Sequence, residues 1–403
     1  MDNNIDEQFS YKHTAEKNKK FPGPLAAGVF FSMTAILLTY GGILLPFENN
    51  YLRSGLGEVL FVLAPALIFL IIGKYNIKDT LQLRKTKPIN YLIVPLLMIF
   101  ALPIVAVVNA VILGIIRLVF GKILPIEQVT VSDTPTLFIA LLVVGVSAAV
   151  CEEILFRGLI SKAYERYGVV TSLVTTSVLF GVLHRDFQKS IGLILIGGLI
   201  GFIVYRTKSI YTGIVAHFTN NAIIVFLLYS NSSKIDEMEK QGLTQLENFD
   251  FSSIPMLSWI IVIIFYFMIF LSCTAVFVAL FYALCRVNKK EIEGGKYTSI
   301  SANAGVNNIS GNILQDGLET TNDNSIGQVG FEEVQGSHRI NQIQEVFDYD
   351  TARTKKSSLA GYISVLPGLI IITFIFLGQF LELMNIDSGV LYNLLKALWI
   401  IRS

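Results

Sequence analysis

Long apolar runs recur along the whole chain, and they limit it to a structure that crosses a lipid bilayer many times. A helix needs about 20 apolar residues to cross the hydrocarbon core of a membrane. Runs of this kind lie at about residues 24–46, 57–74, 91–119, 136–160, 169–187, 190–206, 209–230, 255–285 and 359–383. They predict an all-α polytopic membrane helix bundle with about eight or nine transmembrane helices.

The composition agrees with a membrane protein and excludes other classes. Of the 403 residues, 53% are hydrophobic and 15% are charged, whereas soluble domains carry about 25% charged residues. The net charge of +1 gives no field that would attract nucleic acid, so no nucleic-acid partner is expected. The three cysteines, Cys151, Cys273 and Cys285, show no CxxC spacing, which argues against a disulfide framework or a thiolate zinc site.

Loops rich in lysine and arginine alternate with loops that hold few, and this alternation predicts the orientation of the chain in the membrane. Basic residues precede the first run and follow the second, fourth, sixth and eighth runs, whereas the intervening loops hold few. The pattern predicts an odd number of spans with a cytoplasmic N-terminus. We expect an integral protein of the plasma membrane that contacts the lipid bilayer.

The same patterns divide the chain into four parts. Residues 1–22 form a polar cytoplasmic N-terminus, and residues 23–286 form the membrane bundle. Residues 287–358 are rich in Asn, Ser, Gly, Gln and Glu, which predicts a disordered cytoplasmic insertion because such a segment cannot bury enough apolar surface to fold. Residues 359–403 contain a final transmembrane helix and a short tail.

Three ionisable residues interrupt the fourth apolar run: Glu152, Glu153 and Arg157. A charge at the bilayer centre costs at least about 2.5 kcal/mol, so such residues need a compensating environment. Glu153 and Arg157 are four residues apart and can pair on one helix face. Glu152 points about 100° away and is left to act as a base. The alternative is a buried ion pair that only locks helices together.

Two histidines also lie in apolar runs. His217 and Asn221 share one helix face because they are four residues apart, and His184 precedes a polar turn. Interhelical hydrogen bonding, or a solvated histidine at a helix end, would explain each alone. Taken with Glu152, they predict one polar pocket built from several helices. This pocket could activate a water, or Glu152, His184 and His217 could hold zinc.

Helix ends decide whether these groups can meet. With the simplest boundaries, Glu152 lies near one membrane face and His184 near the other. If the fourth helix continues through Tyr164, it is over 30 Å long at about 1.5 Å per residue, and Glu152 lies nearer mid-depth. We therefore expect the longer helix. In the sixth run, Gly197 and Gly201 form a GxxxG-like pair that should let a neighbouring helix approach closely.

Three short motifs occur in a fixed order: Glu152-Glu153-xxx-Arg157, Phe180-xxx-His184 and His217-xxx-Asn221. In order and spacing they resemble the motifs of the CAAX endopeptidase and bacteriocin-processing (Abi, CPBP) family of intramembrane proteases. The resemblance covers about residues 90–230 and implies a helical bundle with an internal cavity. It implies that Glu152, assisted by His184, activates water and that His217 and Asn221 stabilise the oxyanion. It implies supporting roles for Glu153, Arg157 and Phe180.

The resemblance therefore implies an intramembrane endopeptidase that hydrolyses a peptide bond of a membrane-associated protein or peptide. The residues leave open whether it is a metalloprotease or a metal-independent glutamate protease. One alternative is a non-catalytic membrane scaffold or regulator with the same fold. Another is a transporter with a proton relay, although the inverted repeats of such proteins are not evident in the sequence.

Overall fold

The computed structural model describes residues 20–125, 130–240, 255–291, 359–386 and 389–397. Every regular element in these ranges is helical, and eight helices are long and apolar enough to cross a membrane. The predicted all-α membrane bundle is confirmed, and the chain is an integral membrane protein. Most of the polar N-terminus and of the predicted insertion at 287–358 lies outside the described residues, so both stay predictions.

Ten helices are labelled in chain order. They are α1 (Pro24–Leu44), α2 (Asn50–Ile72), α3 (Asn90–Phe120), α4 (Thr134–Tyr167), α5 (Val169–Leu183), α6 (Phe187–Thr207), α7 (Ile210–Lys240), α8 (Met256–Val287), α9 (Leu359–Leu383) and α10 (Val390–Ala397). At 15 residues, α5 is about 22 Å long at 1.5 Å per residue. It is shorter than the predicted run 169–187 because residues 184–186 form a turn between α5 and α6.

Helix α4 is as long as expected and continues to Tyr167. Asp133 caps its start: the carboxylate accepts a hydrogen bond from the Thr136 amide at 2.8 Å, and the Thr136 hydroxyl bonds back to Asp133. Two π-helical segments, Leu141–Ser147 and Ile154–Ile160, interrupt its α-helical geometry. They flank Glu152 on both sides, and π-helical turns are frequent at functional sites.

The bundle is organised around α4, which packs against α1, α2, α5 and α7. Its apolar side chains Leu155, Phe156, Leu159 and Ile160 are buried in the largest hydrophobic cluster together with residues of α1, α2, α5 and α9. In the same bundle, α9 packs along α1, and α8 packs along α3. Glu152 and Glu153 of α4 are therefore enclosed by protein.

Helices α5 and α6 form a close pair, as the glycines of α6 predicted. A Cβ atom on Gly198 would lie 3.3 Å from the Ser177 hydroxyl, and one on Gly201 would lie 3.2 Å from a Leu173 methyl group. A Cβ on Gly181 of α5 would lie only 2.8 Å from the backbone carbonyl oxygen of Ser190. Small residues on both helices thus bring the α5 end, with His184, against the start of α6.

Candidate active site

Glu153 is the centre of a buried polar cluster. Its Oε1 lies 3.0 Å from Nη1 of Arg157, which confirms the ion pair predicted from their spacing. The same oxygen accepts a hydrogen bond from Nδ1 of His217 on α7, also at 3.0 Å. The Glu153 side chain is 0% exposed. The first and third sequence motifs are therefore joined through one carboxylate oxygen.

Neighbouring helices hold this cluster in place. Nη2 of Arg157 donates to the Gly197 carbonyl of α6 at 2.7 Å. The other Glu153 oxygen, Oε2, has no hydrogen-bond partner in the described structure and faces Gly213 of α7. A Cβ on Gly213 would lie 2.8 Å from Oε2 and 2.5 Å from a Val204 methyl group. Only a glycine at 213 leaves Glu153 its present position.

The Phe180 ring brings the three motifs together. The rings of His184 and His217 lie 5.0 and 5.7 Å from it. The Arg157 guanidinium lies over it at 4.8 Å, in the geometry of a cation–π contact. Phe156 packs against its edge at 5.2 Å. Phe180 thus serves as a common packing surface for both histidines.

Glu152 is placed differently from its neighbour. Within the described residues it forms no hydrogen bond and no ion pair, and its Oε2 is a buried atom without a partner. The residue is 9% exposed. An unpaired buried carboxylate oxygen has a strong need for a donor, which a water molecule would satisfy. Arg157 forms its ion pair with Glu153 and not with Glu152, as the spacing of four residues predicted.

Glu58 of α2 lies near Glu152 and was not singled out from the sequence. Its Oε2 is also buried without a partner, and its charge interacts with those of Glu152 and Arg185. Burial lowers the pKa of the Arg185 guanidinium, and Glu58 opposes that change. A signal existed: Glu58 is a lone acid at the start of an apolar run. Only packing of α2 against α4 reveals its connection with Glu152.

His184 lies at the C-terminal end of α5, where the ring is exposed. Its Nδ1 is 3.0 Å from the Phe180 carbonyl, so this nitrogen donates and carries a proton. Within the described structure Nε2 has no protein partner, and no hydrogen bond joins His184 to Glu152. The rings of His184 and His217 both pack near Phe180. In the described structure Glu152 forms no hydrogen bond with either histidine.

Asn221 lies one turn beyond His217 on α7 and faces α4. Its Nδ2 donates to the Val144 carbonyl at 2.8 Å, and its Oδ1 accepts from Asn220 at 3.0 Å. Because an amide nitrogen carries two hydrogens, one hydrogen of Nδ2 is left for another acceptor. The bond to Val144 is an interhelical hydrogen bond of the kind considered from the sequence, and the second Nδ2 hydrogen remains available.

The described residues do not fit a zinc site. Zinc in catalytic sites takes three protein ligands, and no three His, Cys, Asp or Glu side chains in the described ranges are grouped so that they could hold one ion. We therefore derive no step through zinc, and metal analysis is the test of the zinc expectation for Glu152, His184 and His217.

Comparison with known proteins identifies one segment. Residues 134–223 match the family described as type II CAAX prenyl endopeptidase Rce1-like. A Bacillus subtilis (strain 168) protein named "Putative membrane peptidase YdiL" is 31% identical over 98 residues. That alignment covers 24% of this chain and 39% of the relative. No solved structure matches the chain. The matched segment, from the start of α4 into α7, contains all three motifs and is similar to the CAAX prenyl endopeptidases, which confirms the family resemblance.

Proposed function

We propose that the chain is an intramembrane endopeptidase in which Glu152 activates a water molecule for attack on a peptide carbonyl. The observation that carries this proposal is the different state of two consecutive glutamates. Glu153 is held by Arg157 and His217, whereas Glu152 has a buried oxygen without a partner. A carboxylate that is not neutralised by a cation can accept a proton from water.

The reaction proceeds by general-base catalysis. Glu152 removes a proton from water as the water oxygen bonds to the carbonyl carbon, and the carbonyl oxygen becomes an oxyanion. Glu152 then returns the proton to the leaving nitrogen as the peptide bond breaks. His184, with a proton on Nδ1, presents Nε2 as an acceptor that assists in orienting the water.

The oxyanion is stabilised from α7. Asn221 contributes its remaining Nδ2 hydrogen, since the other binds the Val144 carbonyl. His217 contributes Nε2–H when its ring carries two protons, since Nδ1–H is directed at Glu153. Fixed donors aimed at a developing charge provide much of the rate enhancement in acyl-transfer enzymes. Glu153 and Arg157 act as positioning residues in this scheme because they hold His217 and the α6 backbone.

The family match supports a proposal for the substrate class. A peptide that carries a prenyl group near its C-terminus is the first candidate, because residues 134–223 resemble CAAX prenyl endopeptidases. A membrane-associated peptide without a prenyl group is the second. The exposed apolar surface of the helices is suited to contact with a lipid bilayer. We also propose a plasma-membrane location with a cytoplasmic N-terminus. Membrane fractionation would test the location, and labelling of cysteines introduced into the loops would test the orientation.

The test is cleavage of both peptides by the full-length protein in lipid nanodiscs. Glu152→Gln keeps the size of the side chain but cannot act as a base. We expect kcat to fall by about 10²–10⁴-fold, with an unchanged thermal midpoint. Thr373→Val is the matched control, because Thr373 is exposed and bonds only within α9. Equal rates of cleavage by wild type and Glu152→Gln would refute the role of Glu152 as the base, whereas cleavage of neither peptide by wild type would favour the non-catalytic scaffold.

A further inference from the structure

The last transmembrane helix contacts the turn that carries His184, although α9 lies outside the matched segment 134–223. The side chain of Gln379 on α9 makes two hydrogen bonds to this turn. Its Nε2 donates to the Arg185 carbonyl at 3.0 Å, and its Oε1 accepts from the Phe187 amide at 3.2 Å. Phe376, one turn earlier on α9, packs its ring against Phe187.

The backbone of this turn explains why the Gln379 hydrogen bonds matter. The Phe187 amide belongs to the first residue of α6, and the first amides of a helix have no partner within it. Arg185 has φ +58, a left-handed conformation that is unfavourable for a residue with a Cβ atom. The turn is therefore strained, and the Gln379 hydrogen bonds lie on both sides of Asp186.

The Arg185 side chain is fixed as well. Its Nη1 donates to the Leu38 carbonyl of α1 at 2.7 Å, and its charge interacts with that of Glu58 on α2. The residue next to His184 is thus held by α1, α2 and α9. In the described ranges, the hydrogen bond and the ring contact of His184 are both to Phe180 of its own helix. The position of His184 relative to Glu152 depends on how the turn is held.

We propose that Gln379 is a positioning residue for His184, by which the last helix holds the turn between α5 and α6 in the geometry used for catalysis. This inference rests on the proposed endopeptidase function. It adds a role for a helix outside the family segment. Gln379 does not touch the reacting atoms. It acts through the backbone of Arg185 and Phe187.

The test combines hydrogen exchange with cleavage kinetics in nanodiscs. Gln379→Met has nearly the length of glutamine but lacks both hydrogen-bonding groups, and Gln379→Asn keeps them on a side chain one methylene shorter. We expect faster exchange for peptides covering residues 184–190 in both variants, with Asn intermediate. We expect kcat to fall by about 10–10²-fold in Gln379→Met, because a displaced group misaligns the reactants, and KM to stay within about twofold.

Each outcome decides the proposal. Thr373→Val on the same helix should match wild type in exchange and rate. Unchanged exchange in Gln379→Met, or faster exchange with unchanged kcat, would overturn the positioning role. Should Gln379→Met fail to fold, Gln379→Asn decides by the same two measurements. A wild-type protein that cleaves neither peptide would refute the proposed function, and exchange alone would then decide whether Gln379 holds the turn.

Discussion

Nδ1 of His217 and Oε1 of Glu153 lie 3.0 Å apart in a region where the Glu153 side chain has no solvent exposure. The two residues are 64 positions apart in the sequence. A carboxylate oxygen only accepts, so Nδ1 must carry the proton. This fixes the orientation of the ring and leaves Nε2 for the substrate. Arg157 binds the same Glu153 oxygen and also donates to the Gly197 carbonyl of α6. Glu153 and Arg157 of α4 therefore connect this helix to both α6 and α7.

Removing the Glu153 charge should destabilise the protein strongly. Glu153→Gln leaves Arg157 buried without a counter-ion, and breaking a buried pair costs about 3–5 kcal/mol. The double variant Glu153→Gln, Arg157→Met removes both charges and should be less destabilised than the sum of the single variants. The unfolding temperatures of wild type, Glu153→Gln, Arg157→Met and the double variant, measured in one detergent, give this comparison. Additive effects would show that the pair is not energetically coupled.

Gly213→Ala should impair the cluster without changing any charge. The added methyl group would lie 2.8 Å from Glu153 Oε2 and 2.5 Å from Val204, so Glu153 or α7 must shift. Overpacking of this kind costs about 1–3 kcal/mol, and we expect a lower unfolding temperature and slower cleavage. Gly114→Ala is the control, because a Cβ on Gly114 of α3 meets nothing within 4 Å. Equal effects of the two substitutions would contradict the packing argument.

Asn221→Ala should act on turnover more than on substrate binding. It removes the proposed oxyanion donor, and loss of one such donor costs about 10²–10³-fold in kcat. KM should change little, because the interaction forms in the transition state. Asn231→Ala on the same helix is the control, since Asn231 is exposed and bonds only to the Leu227 carbonyl. A rise in KM at constant kcat would show that Asn221 binds substrate instead.

The start of α4 should become less stable in acid. Hydrogen bonds from the Thr136 hydroxyl and then from the Thr136 amide hold the pKa of Asp133 below its usual value. A depressed folded-state pKa gives a stability contribution that is full above the unfolded pKa of about 3.9 and is lost as the pH falls through the folded value. Hydrogen exchange at residues 134–140 should therefore accelerate at low pH relative to the intrinsic rate. In Asp133→Asn, which retains a capping side chain, this additional pH dependence should be absent.

Chelation should leave the cleavage rate unchanged. No three His, Cys, Asp or Glu side chains in the described part of the chain are grouped for one metal ion, and the proposed reaction uses Glu152 directly. Metal analysis of the purified protein should accompany rate measurements with and without chelator. Activity that is lost on chelation and restored by zinc would instead assign a ligand role among Glu152, His184 and His217.

The spans and the three motifs were predictable because they depend on local spacing. A run of apolar residues determines a membrane helix by its own length, and the Glu153–Arg157 pair follows from the geometry of one helix. The long α4 could also be anticipated, because only a long helix moves Glu152 away from the membrane face. Close packing of α5 on α6 followed from the small size of the α6 glycines.

The sequence by itself determined which polar residues are at membrane depth and which of them share a helix face. The tertiary structure alone decided that His217 binds Glu153, that Phe180 contacts both histidines, and that Glu58 and Gln379 approach the site from α2 and α9. These contacts cross between helices, and they depend on the rotation and depth at which whole helices pack. Such packing is the sum of many small apolar contacts, so no single sequence spacing encodes it.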